Sequence, residues 1–82
     1  MAMPKNQEAR RLNKKFVSLG DMKGKTYQEI ASVVGECDSR QELPDGTVLC
    51  QWVKPGYLIA IVFDSSMTMV RISNEINTID KS

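Results

Sequence analysis

Apolar residues recur at helical intervals along the first third of the chain. Ala9, Leu12, Phe16 and Leu19 fall at steps of three, four and three, which lines them along one face of a helix that Gly20 would stop. A second stripe, Ile30, Val33 and Val34, follows Thr26 and Glu29. A Thr with a Glu three residues later is a capping box, in which hydroxyl and carboxylate each satisfy a free backbone N–H. Gly35 is suited to end this helix in the left-handed conformation. Asp21–Lys25 is the connector.

After Gly35 the period changes from helical to alternating. "LPDG" (Leu43–Gly46), "KPGY" (Lys54–Tyr57) and "DSSM" (Asp64–Met67) read as turns, with Pro fixing φ and Gly supplying positive φ in the first two. They cut the remainder into four strands, at about 37–42, 47–53, 58–63 and 68–72, which connections this short would join as an antiparallel meander. Four-residue turns set Val53 against Leu58, Trp52 against Ile59, Cys50 against Ile61 and Val48 against Phe63. They likewise set Phe63 against Thr68, Ile61 against Val70 and Ile59 against Ile72. Both hairpins then gather Val48, Cys50, Trp52, Ile59, Ile61, Phe63, Val70 and Ile72 on one side. The predicted fold class is α+β, two N-terminal helices packed on one face of a four-stranded antiparallel sheet. Trp52 is expected in the core and Tyr57 at the surface or capping the core edge.

"YLIAIVFD" (Tyr57–Asp64) is apolar at nearly every position, so the third strand is greasy on both faces. Antiparallel sheets with one wet face normally alternate. The second face is predicted to carry Leu49, Gln51, Val53, Leu58, Ala60, Val62, Met69 and Arg71, rimmed by Arg40 and Glu42. Two helices suffice for one side only. A patch this apolar on so small a domain reads as a protein-binding face or a homodimer contact; the plainer reading is scattered surface hydrophobics, which are common. The binding residues expected are Leu49, Gln51, Val53, Leu58, Val62, Met69 and Arg71.

At 82 residues the chain is one domain with a modest core. Residues 12–75 read as that domain, residues 1–11 as a basic arm and helix start (with 1–3 as a cloning remnant) and residues 76–82 as a tail. The net charge of +1 hides an asymmetry. Residues 1–25 hold Lys5, Arg10, Arg11, Lys14, Lys15, Lys23 and Lys25 against Glu8 and Asp21, or +5, and the remainder is −4. The cations fall at helical spacing on a solvated face without interleaved aromatics, so nucleic acid is not the expected partner. Peripheral contact with an anionic membrane through this segment is compatible with the pattern. No apolar run is long enough to span a bilayer, and no signal-peptide h-region is visible. Localisation is open: envelope or secreted for an excised domain, cytoplasmic otherwise.

The chain has no histidine, which removes the commonest general base and every His-dependent triad. Glu36, Asp38, Glu42 and Asp45 lie around turns and edges, and "GDMKGK" lacks the spacing of a phosphate loop. No catalytic residue, metal site or cofactor is therefore expected. In the predicted register Ser39 faces Cys50, which sets Cys37 diagonally across from Cys50, about 7–8 Å away and at the edge of disulfide range. A disulfide and two buried free thiols both remain open.

The order "GKTYQEIASVVGE", a turn, "DGTVLCQW" and "GYLIAIVFD" resembles the helix–helix–sheet repeat of β-lactamase inhibitory protein and the small domain of SmpA/OmlA-type outer-membrane assembly lipoproteins. Gly24, Thr26, Ile30 and Gly35 match the family's second-helix segment, and the likeness covers roughly residues 12–75. The resemblance implies a protein-binding scaffold and not an enzyme, and it favours the Cys37–Cys50 disulfide. A single repeat would need to dimerise to rebuild a two-repeat surface. The aliphatic face departs from the inhibitor's aromatic one, so β-lactamase inhibition is not expected. A structural or sensory domain of a larger envelope protein and a small-molecule carrier, with its ligand between helices and sheet, are the alternative readings.

Overall fold

The computed structural model describes residues 7–78; the proposed remnant at 1–3, Lys5 and the end of the tail lie outside them. Helices α1 (Gln7–Leu19) and α2 (Tyr27–Val34) precede strands β1 (Ser39–Glu42), β2 (Val48–Lys54), β3 (Tyr57–Phe63) and β4 (Met69–Asn77). The strands form one antiparallel sheet in the order β1-β2-β3-β4. The α+β architecture read from the sequence is the one present.

Both helices form where the stripes place them. Ala9, Leu12 and Phe16 of α1 and Ile30 and Val34 of α2 are buried. The capping box is complete: the Thr26 hydroxyl accepts from the Glu29 N–H at 3.1 Å, and the Glu29 carboxylate accepts from the Thr26 N–H at 3.0 Å. These bonds hold the Glu29 carboxyl below its ordinary value. The connector does more than join helices. Gly24 and Tyr27 donate to Met69 and Met67, and Met69 donates back to Lys25, so it lies along the start of β4 as a short extra edge.

The helix-side face of the sheet is the core. Val48, Cys50, Trp52, Tyr57, Ile59, Ile61, Phe63 and Met69 pack there with the helix stripes. Phe16 meets Trp52 edge-on at 5.5 Å, and Tyr27 meets Phe63 edge-on at 5.6 Å, the geometry that ring quadrupoles favour. Trp52 donates its indole N–H to the Gly35 carbonyl at 2.9 Å, so its burial leaves no polar atom unpaired. Tyr57 is a core residue and not a surface contact: its hydroxyl donates to Glu75 at 2.6 Å. Burial, then Glu75 and its negative charge, push the phenol above its ordinary value.

The β2–β3 register is the predicted one, from Val48↔Phe63 to Lys54↔Tyr57. The flanking registers differ, for one shared reason. Leu43 N–H bonds the Thr47 carbonyl and Asp64 N–H bonds the Thr68 carbonyl, so each loop holds three residues between its closing pair and not four. The third loop residue is left-handed in both, Gly46 at φ 89° and Met67 at φ 62°, as three-residue hairpins require. Asp45 and Asp64 accept N–H and hydroxyl bonds within these loops, which lowers both carboxyls.

Several predicted placements change as a result. On β1, Arg40 faces Cys50 and Glu42 faces Val48, so both lie on the helix side and do not rim the open face. Arg40 sits 5.2 Å from the centre of the Tyr27 ring, a cation–π arrangement. On β4, Phe63 pairs with Met69, and two further irregularities give Val62↔Arg71, Ile61↔Ile72 and Ala60↔Asn74. Met69 therefore turns into the core, 8% exposed, and leaves the predicted binding face. Val70 and Ile72, expected in the core, are 42% and 43% exposed. β4 also runs to Asn77, past the predicted end of the domain at residue 75.

Candidate protein-binding face of the sheet

Pairing across the strands arranges the face away from the helices in three rows. One row is Val53–Leu58–Ile76, the next Gln51–Ala60–Asn74, flanked by Ser39, and the third Leu49–Val62–Arg71, flanked by Gln41. Neighbours within a row stand about 4.5–5.5 Å apart, so each row is continuous. Helix packing serves the other side, and no helix or strand of the described residues is layered over these rows.

The rows differ in character. Val53 and Ile76 are 44% and 48% exposed and Leu58 between them is half-buried, which makes an apolar bar beside the β2–β3 turn. The middle row sets two amides, Gln51 and Asn74, around a small alanine. In the third row Val62 is only 3% exposed and Ala60 beside it 4%. Each lies on a central strand between longer neighbours, Leu49 and Arg71 for one, Gln51 and Asn74 for the other. Val62 thus belongs to the floor of the face and not to its contacting surface.

Of the seven residues expected on the face, six are brought together there: Leu49, Gln51, Val53, Leu58, Val62 and Arg71. Met69 is the exception. Ile76 and Asn74 complete two rows, yet both escaped the sequence reading, because each bulge adds a residue to β4 and shifts every later partner. The alternation of Arg71–Ile72 and of Asn74–Glu75–Ile76 around Ser73 was the available signal.

Cys37 and Cys50 are free thiols here. Cys50 is fully buried, and burial, helped by Cys37 beside it, pushes its thiol up to about 11. The Cys37 N–H donates to the Tyr27 hydroxyl at 3.2 Å, and that hydroxyl donates to the Cys37 sulfur at 3.6 Å. Burial raises the Tyr27 phenol in turn. The predicted diagonal from Cys37 to Cys50 changes with the register: Cys50 faces Arg40, and Cys37 lies before β1, where Asp38 extends the ladder by bonding Gln51. The Asp38 carboxylate accepts from the Val53 N–H at 2.7 Å, a structural task. Among the described residues no three His, Cys, Asp or Glu side chains converge as a metal site, and no helix is long and apolar enough to cross a membrane. No family model, curated protein or solved structure matches the chain, so the likeness to β-lactamase inhibitory protein and SmpA/OmlA-type domains gains no support from them.

Proposed function

We propose that this protein is a non-enzymatic protein-interaction module that works through the open face of its sheet, and that its partner there is a second copy of itself. The exposed bar Val53–Leu58–Ile76 carries this reading. Apolar area on a face with no covering layer is stabilised when a partner removes it from water. A second copy fits the chemistry. A two-fold contact must be self-complementary, and Arg71 is the only charged residue in the three rows. Gln51 and Asn74 each carry a donor and an acceptor, so amides can meet amides across such an axis.

The size of the face sets the strength. Four strands about 4.8 Å apart and five residues of about 3.4 Å each give a footprint of roughly 19 by 17 Å. That is at or below the low end of specific interfaces, where weak, reversible association is the rule. Sedimentation equilibrium over a wide concentration range tests the reading. The wild type is expected to dimerise with a Kd of about micromolar order or weaker, and Val53→Asp and Ile76→Asp to sediment as folded monomers. A wild type monomeric up to millimolar concentration, or a dimer that survives both substitutions, would sink it. The carrier alternative has little room: Phe16, Tyr27, Trp52 and Phe63 fill the space between helices and sheet with ring-to-ring contacts.

A further inference from the structure

The opposite side of the molecule carries a second surface, independent of the sheet-face reading. On α1 the buried stripe of Ala9, Leu12 and Phe16 fixes which way the helix is turned. Arg10, Arg11, Lys14 and Lys15 are then all exposed on the outward arc, with Glu8 the only carboxylate on the helix. The sheet adds a cation that sequence spacing does not reveal. Lys54, at the end of β2, comes up beside α1, where Arg11, Lys15 and Lys54 line one shallow depression of about 200 Å³ together with Glu8, Leu12 and Val34. On the other flank of the outward arc, three residues on from Lys14 and seven from Arg10 and so beside both, stands Val17, 70% exposed, the most exposed large apolar residue of the described chain. Of the other described acids, Asp21 lies in the connector and Glu29 at the start of α2, while Glu36, Asp38, Glu42, Asp45, Asp64 and Glu75 follow α2. Glu75 returns to the edge of α1 through Tyr57, whose hydroxyl also meets Asn13.

We infer that this face docks on an anionic lipid bilayer, with the α1 cations and Lys54 against headgroup phosphates and Val17 entering the interface. Charge complementarity carries the choice: a cluster of four to eight cations on a helix face is the usual footprint for acidic lipid. Val17 favours a bilayer over a nucleic acid, since an apolar side chain gains by entering an interface and gains nothing against a phosphodiester backbone. Single-stranded nucleic acid would also want aromatic platforms. Phe16, Trp52, Tyr57 and Phe63 are all buried, and Tyr27 lies under Arg40. Docking by α1 would leave the open sheet face pointing away from the membrane, free for its own partner.

Co-sedimentation of the full chain with phosphatidylcholine vesicles, with and without about one-third phosphatidylglycerol, is the test. Binding is expected to the anionic vesicles only, and to fall steeply between about 0.05 and 0.3 M NaCl. Arg11→Gln with Lys15→Gln should weaken it roughly twentyfold or more, at about fivefold per cation removed, with an unchanged circular dichroism spectrum because both side chains are exposed. Val17→Ser should weaken it by a smaller factor that salt does not alter, and Val53→Asp should leave it unchanged. No binding at low salt, equal binding to neutral vesicles, or displacement from vesicles by an equal charge of duplex DNA would each overturn the inference. So would an undiminished affinity in the double variant.

Discussion

Trp52 and Val53 are adjacent in sequence and point to opposite faces of the same sheet. Trp52 is 1% exposed, edge-on to Phe16 and hydrogen-bonded to Gly35. Val53 is 44% exposed and shares its row with Leu58 and Ile76. One face is fastened by rings, stripes and a satisfied indole. The other presents aliphatic and amide side chains, and no helix or strand of the described residues is layered over it. The contrast teaches that a greasy strand serves two purposes here: its inward half holds the fold together with Ala60 and Val62, the buried floor of the outer face, while Val53, Ile76 and half-buried Leu58 around that floor are surplus to the fold. Surplus apolar surface is where a partner is to be sought.

The comparison is broken most severely on the helix side. Trp52→Ala should cost about 3–5 kcal/mol, enough to unfold a domain of this size, whereas Val53→Ala should cost less than about 0.5 kcal/mol; urea denaturation of both reads the difference. Val62→Asp comes next, and it sharpens the division within the open face. Because Val62 is 3% exposed, its carboxylate would be forced under its neighbours at a cost of about 2–4 kcal/mol. Val53→Asp in the same denaturation series should stay folded.

Smaller effects come from titration and capping. Cys50 is held neutral to about pH 11, against an ordinary thiol value of about 8.5. A raised folded value gives stability that is complete below the ordinary value and is lost as pH rises toward the folded one. Melting temperature should therefore begin to fall near about pH 9. In Cys50→Ala the alkaline decline should start later, above about pH 10, where the raised tyrosines titrate. The capping box is the smallest case. Thr26→Ala should cost about 1 kcal/mol. Glu29, Asp45 and Asp64 are all lowered, so their contribution is present above about pH 4.5 and disappears as pH falls through their folded values. Glu29→Gln should flatten part of that acid limb in a pH series of thermal melts.

Much of this was legible because local rules and burial agreed. The helix stripes, the Thr26–Glu29 cap and the Pro55–Gly56 turn each carry their own signal, and together they fixed β2 against β3 and so the inward side of Trp52. The outer strands were less legible. A three-residue loop and a four-residue loop differ by one residue, and Met67 takes a left-handed conformation that its side chain does nothing to advertise. That one residue moved Arg40 and Glu42 to the helix side. On β4 it turned Met69 inward, and the bulges then added Asn74 and Ile76 to the open face. Lys54 joined the α1 cations for a different reason, since that proximity exists only once the helix lies on the sheet.

The central claim is that the open face, and not the helix layer or the free edge of β4, makes the contact between copies. A dilution series followed by backbone amide shifts tests it most directly. The account predicts concentration-dependent shifts at Leu49, Gln51, Val53, Leu58, Asn74 and Ile76, with α1 unmoved. Shifts confined to α1 or to Val70 and Ile72, or none at any concentration, would contradict it.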